Sequence, residues 1–582
     1  MTDRYFALIG GGSDDHDRIA ATIAGDPLLH IADARPGCLV VVERSALVFP
    51  VVDRGVVIGP LFAAARNGPQ HDLSPNDAAA VTASAGHYLT HAFWGGYVAI
   101  LPGAGHGSVD VVRAPFGELP CFYARTGSRW IVASDVALLE RYGGFQPALD
   151  WPAMARFLCA PTLRSTETCL RGLRELRGGD RLTLAGSGDA TTCLWSPWTY
   201  AATDRQLLDP VEAAHRLRGE IVSAIAARGS TAEHSVLMLS GGLDSSVVAC
   251  AAAQDGLALS CVNVRTNDPG GDERRYARAV CDRLGFALEE RAFALEGIDL
   301  DRSAAAALPR PVSRAFEYEA RGQAHAVAAQ VGADLVLTGG GGDNIFCSLQ
   351  SVAPLLDCLA SFPDRREFWR VAREISAFCD ASLVTVVRRA WLRSWRKRRP
   401  IPTDVDLRFL SSAAREQGST LPRHPWLQPP GTVLPGKAAH VSLLLGTQHL
   451  TEDSDPQAGR RLLSPLISQS VVELCLRIPS WMWFDRGCNR AVARHAFDAD
   501  LPPEVAWRRS KGSPDSFLVE MFDANRDRIR ALLLHGNLAR HGLLDTDALA
   551  THLDDRGPVR GSDHVRMLRL VDIEAWTRCW PA

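Results

Sequence analysis

One eight-residue stretch does more than any other to limit the folds open to this chain. Leu239-Ser240-Gly241-Gly242-Leu243-Asp244-Ser245-Ser246 follows the strand-like run Ser235 to Met238 and leads into Val247 to Ala253, which reads as a helix. Two glycines let a backbone turn tightly and approach an anion, while the helix behind them offers free N–H groups and the positive end of its dipole. The serine hydroxyls add donors, and the Asp244 carboxylate can hold Mg²⁺ against phosphates. No lysine follows the glycines, so this is not a Walker loop. Such a loop belongs between a strand and a helix, which predicts an α/β fold around it.

The neighbouring sequence agrees. Ala213, Leu217, Ile221 and Ile225 recur every four residues along one helix face. Leu259 to Val264 and Asp334 to Thr338 read as strands, and Glu273 to Leu284 and Ala320 to Val331 as helices closed by Gly285 and Gly332. Glycine-closed helices alternating with short apolar strands predict a doubly wound parallel sheet, whose ligands sit at the carboxyl ends of its strands. Upstream, Leu39 to Val42, Leu47 to Phe49 and Val56 to Ile58 are short apolar runs separated by charged residues and glycine, expected as an antiparallel meander. Gly95 to Leu101, Val109 to Val112 and Trp130 to Ala133 continue that sheet-rich character. The pattern loosens between Ser196 and Pro210, where we place a domain boundary. From about 348 to 440 the chain reads as irregular with helical pieces. After Val441 it reads as helical, with Ile467 to Leu476 and Arg490 to Phe497 the clearest segments.

Composition excludes several classes. With 582 residues the chain has room for more than one domain. A net charge of −3 argues against a protein built to coat nucleic acid. No apolar run reaches the roughly 18 residues of a membrane span, and the N-terminus lacks the pattern of a signal peptide. Fourteen cysteines without a Cys-x-x-Cys pair suit reduced thiols, hence a cytoplasmic location.

Ser240 to Ser246 resembles the pyrophosphate loop of the ATP pyrophosphatases. Five further segments narrow the likeness to the asparagine synthetase superfamily, in family order: Arg113-Ala114-Pro115-Phe116-Gly117-Glu118-Leu119-Pro120 with Tyr123; Asp272-Glu273-Arg274-Arg275-Tyr276-Ala277; Leu337-Thr338-Gly339-Gly340-Gly341-Gly342-Asp343-Asn344; Ser464-Pro465-Leu466-Ile467; and Trp507-Arg508-Arg509-Ser510-Lys511-Gly512. The resemblance implies an N-terminal amidohydrolase-like domain of αββα (Ntn) type over 1–200. It implies a doubly wound ATP-pyrophosphatase domain with extra helices over 205–582. ATP and Mg²⁺ follow as cofactors, with Asp244 and Asp343 holding the metal. Leu239, Ser240, Gly241, Gly242, Leu243, Ser245, Ser246, Val264 and Gly339 would surround the nucleotide. Lys511 would neutralise charge developing at the α-phosphate. Asp272 reads better as a helix cap than as a catalyst.

Three departures sharpen the expectation. Position 2, where glutamine-dependent members expose a cysteine, holds Thr2, so the amine should come from elsewhere. Gly340 stands where asparagine-forming members have Glu and β-lactam-forming members have Tyr, which points to more room for an acceptor; Glu317 or Tyr318 is then a candidate proton acceptor. Arg388 to Arg399 packs seven basic residues into twelve with two tryptophans, and Arg388, Arg389, Arg393 and Arg396 are candidates for docking a peptide or partner. A solvated helix and nucleic-acid binding are the other readings of that stretch. Together these features look most like the lasso peptide cyclases. Such an enzyme activates an Asp or Glu side chain of a precursor peptide and closes a macrolactam with the peptide's own amine. Implied partners are a leader-binding protein and a leader peptidase, with no nucleic acid and no membrane. A small-molecule amidating or β-lactam-forming synthetase and a tRNA-modifying enzyme are the alternatives.

Overall fold

The computed structural model describes all residues except 1–2, 52–54, 65–67, 106, 267, 313–314, 362–363, 395–404, 423, 432, 453–459, 510–511, 513–514, 558, 560 and 582, and the side chains of 315, 316 and 318. Two antiparallel six-stranded sheets form its first part. One runs Arg174–Glu175, Phe122–Thr126, Arg129–Ala133, Tyr5–Ile9, Cys38–Glu43, Leu29–Arg35 across the sheet; the other runs Gly188–Cys193, Asp180–Ala185, Val109–Arg113, Val98–Pro102, Val56–Ile58, Val48–Pro50. Tyr5, Ala7, Val40 and Val42 from the first meet Ile58, Val98, Ile100 and Val111 from the second. Ile19, Ile23 and Leu139, from the helices Ser13–Ala24 and Val136–Gly143, cover the opposite side of the first sheet over Phe6, Leu8 and Val41. Val81 and Leu89, from Pro75–Ala83 and Leu89–Ala92, cover the second over Val57 and Ala99. The layers are therefore αββα, as expected. Because both faces of each sheet are covered, a central strand such as Cys38–Glu43 is a continuous apolar run, Cys38 to Val42, rather than an alternating one. The expected meander is corrected by the same fact: Cys38–Glu43 lies in one sheet, whereas Val48–Pro50 and Val56–Ile58 form the edge of the other.

The second part is built on a five-stranded parallel sheet in the order Ala287–Ala292, Leu259–Arg265, Ser235–Met238, Leu335–Thr338, Arg461–Leu463. The three inner strands are those the sequence pattern predicts. Both edges escape it: Ala287–Ala292 carries Glu289, Glu290 and Arg291, and Arg461–Leu463 is three residues long in a region read as helical. The helix Leu243–Asp255 follows the first strand and ends on Gly256 in the left-handed region. The stretch from 348 to 440 is more regular than expected, with the helices Ala353–Ser361, Arg365–Phe378, Leu383–Ser394, Ser412–Gly418 and Pro435–Leu445.

The two parts share cores. Phe116, Trp195 and Trp198 pack into the apolar core of the parallel-sheet part. C-terminal helices, among them Asp515–Ala524 and Asp563–Thr577, return to bury Leu518, Met521, Leu568 and Trp576 with Leu138, Met154 and Leu158 of the first part. Among the described residues no helix is long and apolar enough to cross a membrane.

Candidate active site

Ser235–Met238 is the middle strand, and the chain winds outward from it first to one side and then to the other. The crevice between the carboxyl ends of Ser235–Met238 and Leu335–Thr338 is thus the topological switch point, where open α/β sheets bind ligands. Both strand ends carry the glycine-rich segments.

The first loop is braced by its own hydroxyls. Ser240 N donates to Ser245 Oγ (3.2 Å), Gly242 N to Ser240 Oγ (3.3 Å) and Ser246 Oγ to Gly242 O (2.7 Å). Gly241 has φ +73°, and a Cβ there would sit 2.7 Å from Tyr276 Cβ, so this turn demands glycine. Gly242 caps the helix Leu243–Asp255 without a side chain, leaving that N-terminus to an anion. Leu239 and Leu243 bury their side chains in the core, and Leu239 O accepts from Asn263 Nδ2 (2.7 Å). Ser246 is fully buried, so its hydroxyl serves the loop. Val264 lies at the end of the neighbouring strand and packs at the edge of the apolar layer beside Val236 and Val262, outside the lining of this crevice.

The second loop is glycine-rich for closeness. A Cβ at Gly339 would lie 2.5 Å from Ser245 N, and one at Gly342 would overlap the Asp244 side chain. Gly340 does not create the expected room: a Cβ there would meet Ser464 Oγ at 2.8 Å and Thr338 Oγ1 at 2.9 Å, so two hydroxyls fill that space. Asp343 lies in the short helix Gly342–Ile345, which is braced by Asn344 Nδ2 to Leu443 O (2.7 Å) and by His440 Nε2 to Ile345 O (2.8 Å).

The two aspartates converge on one point. Asp244 Oδ2 lies 2.8 Å, and Asp343 Oδ1 2.7 Å, from the same atom, Nη1 of Arg490. Arg490 has φ +57° at the head of the helix Ala491–Phe497. Burial opposes its charge, but the two carboxylates outweigh that and hold its pKa above the ordinary arginine value. Two carboxylates reaching one cation, beside a loop shaped for phosphates, are a donor set that fits Mg²⁺, which takes one or two carboxylates plus phosphate oxygens. Arg490 holds that point here, and sequence reasoning missed its role because it lies 246 positions from Asp244.

The crevice has a volume of about 310 Å³ and is lined by Ser240, Asp244, Ser245, Gly339 and Asp343. Glu317 and Arg321, from the helix Ala315–Val331, line it too and pair at 3.3 Å. Glu317 also lines an adjoining cavity of about 280 Å³, walled by Thr162, Arg164, Ser165 and Glu167 of the first part and by Arg310 and Glu452 of the second. The Tyr318 side chain, Thr2, Lys511 and Arg396 lie outside what is described. Asp272 accepts from Arg274 N (3.2 Å) and from its guanidinium, which draws its pKa down to about 2. Arg388, Arg389 and Arg393 are exposed on the helix Leu383–Ser394, which packs through Val386 and Ala390 and stands apart from the crevice lining.

A family model described as asparagine synthase matches residues 216–578, more than half of the chain. The chain belongs to the asparagine synthase family. It is thus an ATP-dependent ligase that forms amide bonds, the activity of that family. No curated protein is similar enough to count as a relative. Two solved structures show a weak likeness. One is described as the allosteric regulatory enzyme of purine biosynthesis (11% identity, 50% of this chain and 80% of that one, TM-score 0.23). The other is glutamine phosphoribosylpyrophosphate amidotransferase from B. subtilis complexed with ADP and GMP (10% identity, 58% and 90%, TM-score 0.23). At these TM-scores neither bears on the argument.

In this family member the amidohydrolase-like motif is used at the junction of the two parts. Within the first part Arg113 Nη1 donates to Glu175 Oε1 (2.5 Å), and Glu175 in turn pairs with Arg310 of the second part; Glu118 reaches across to Arg228 and, at 3.5 Å, to Arg461. Phe116 packs edge-on against Trp195 at 5.1 Å between ring centres.

Proposed function

We propose that this asparagine synthase family member is a lasso peptide cyclase. It adenylates an Asp or Glu side chain of a leader-free precursor peptide, releasing pyrophosphate, and the peptide's N-terminal amine then displaces AMP to close an isopeptide macrolactam. The observation that carries the reading is the position of Glu317: the residue lines both the phosphate crevice and the cavity between the two parts, with its carboxylate paired to Arg321. An acceptor that enters through the second cavity therefore meets a proton-accepting group where its carboxylate meets the nucleotide. Thr2 in place of cysteine supports the same reading, because an intramolecular amine needs no glutaminase. Holding amine and activated carboxylate on one chain supplies proximity as the main rate factor.

The roles divide as follows. The Gly241–Gly242 turn and the N-terminus of the helix Leu243–Asp255 bind the phosphates. Asp244 and Asp343 would hold Mg²⁺, which when bound neutralises phosphate charge. Lys511 would stabilise charge at the α-phosphate, and Glu317 would take the proton of the attacking ammonium. The test offers ATP, Mg²⁺ and either a leader-free peptide with an internal Asp or Glu or free aspartate with ammonia, following pyrophosphate and product mass. A peptide lighter by one water supports the reading. Turnover of aspartate with ammonia and of no peptide refutes it.

A further inference from the structure

The helix Arg274–Leu284 begins beside the phosphate loop, and the residue at its head has a second task. Both Glu273 oxygens face the chain around Lys511. Oε2 accepts from Arg508 Nη1 (2.7 Å), while Oε1 accepts from Arg508 Nη2 and from the amide of Gly512 (2.7 Å). Glu273 thus grips that segment on either side of Lys511. The grip is close, because a Cβ at Gly512 would fall 2.6 Å from Glu273 Oε1 and 2.9 Å from Gly270 O. Both side chains of the ion pair are nearly buried, at 11% and 12% exposure, where such a pair resists exchange with water.

The grip continues to the phosphate loop. The Arg508 guanidinium lies 3.5 Å from the centre of the Tyr276 ring, and Tyr276 Cβ is the atom that a side chain at Gly241 would strike. Glu273 O also lies against Gly241, 3.1 Å from where its Cβ would be. Gly241, Tyr276, Glu273, Arg508 and Gly512 therefore form one packed series from the phosphate turn to the Lys511 segment. Ser516 Oγ, in the helix Asp515–Ala524, donates to Asp268 in the loop that leads to Glu273.

We propose that Glu273 is a positioning residue that latches Arg508 and Gly512, the residues flanking the Lys511 position in the chain, onto the phosphate loop, so that both stay in register with nucleotide bound there. The latch follows from the contacts; its effect on turnover rests on the function proposed above. Glu273→Gln keeps the shape and one acceptor but removes the charge that holds Arg508. Hydrogen exchange of the 507–512 segment, read by mass spectrometry with and without ATP and Mg²⁺, reports the latch directly. The parent should exchange slowly there, and more slowly with ATP. Glu273→Gln should exchange at least about tenfold faster, lose the slowing by ATP and bind ATP within about threefold of the parent. AMP formation with the peptide should fall about 10²-fold in kcat with little change in KM for ATP, as expected of a misplaced group. Arg508→Gln tests the same contact from the other side should the first variant fail to fold. Exchange equal to the parent's in the variant that folds, or ATP slowing that survives, overturns the latch. A parent that makes no AMP with any carboxylate overturns the proposed function, and the exchange result still decides the latch.

Discussion

Replacing Arg490 by Met isolates the electrostatics of the metal-binding carboxylates. Met keeps a Cβ, so the strain of the left-handed φ is present in both proteins and cancels. What changes is the guanidinium 2.8 Å from Asp244 and 2.7 Å from Asp343. The two carboxylates differ in surroundings: the Asp244 side chain is 10% exposed and that of Asp343 is 56% exposed. Removing one partner of a buried pair costs about 3 kcal/mol or more. An exposed pair contributes about 0.5 kcal/mol. In EDTA the variant should therefore lose about 3.5 kcal/mol, nearly all through Asp244, which lowers Tm by roughly 5 °C for a unit of this size. Millimolar Mg²⁺ should recover part of that loss in the variant, because a cation binding only the native state stabilises by RT ln(1 + [L]/Kd), about 2.7 kcal/mol at a hundredfold excess over Kd. In the parent, Arg490 occupies the point where both aspartates meet, and Mg²⁺ without nucleotide should move Tm little. Differential scanning fluorimetry in EDTA and in Mg²⁺ reads both effects. A variant that melts within about 1 °C of the parent in EDTA, or a parent that gains as much from Mg²⁺ as the variant, refutes the reasoning.

Two further outcomes test the frame. Gly339→Ala places a methyl 2.5 Å from the Ser245 amide, a backbone atom that cannot step aside; it should cost about 1–3 kcal/mol and weaken ATP binding measured by calorimetry. Glu118→Gln should lower the melting point at pH 7 by breaking the pair with the buried Arg228. Burial works against the Glu118 charge, but Arg228 and Arg461 outweigh it and hold its pKa below the ordinary value of 4.5. A depressed carboxyl contributes stability that is present above the unfolded-state pKa and fades as pH falls through the folded one. The gap between parent and Glu118→Gln should therefore close as pH drops below about 4.5, and a constant gap down to pH 3 would contradict the assignment.

What could be read from the sequence is local. Ser240 to Ser246 announces its strand, turn and helix because each residue type there answers a local backbone demand. Leu335–Thr338 and Leu259–Arg265 announce themselves because an inner parallel strand is largely apolar along its buried length. The edges do not, since Ala287–Ala292 meets solvent on one side and follows no simple pattern. Arg490, Glu273 and Arg508 were illegible for another reason: each acts on a residue more than two hundred positions away. Gly340 misled in its detail, because an absent side chain says nothing of what fills the space, here Ser464 and Thr338.

The central claim is that a peptide carboxylate is activated by adenylation and captured by the peptide's own amine. Oxygen-18 placed in the acceptor Asp or Glu side chain tests it in one mass measurement on both products. AMP should carry one oxygen-18, and the peptide should be lighter by one labelled water. Label in inorganic phosphate with ADP as the nucleotide product, or AMP formed without label while the peptide mass stays unchanged, would contradict it.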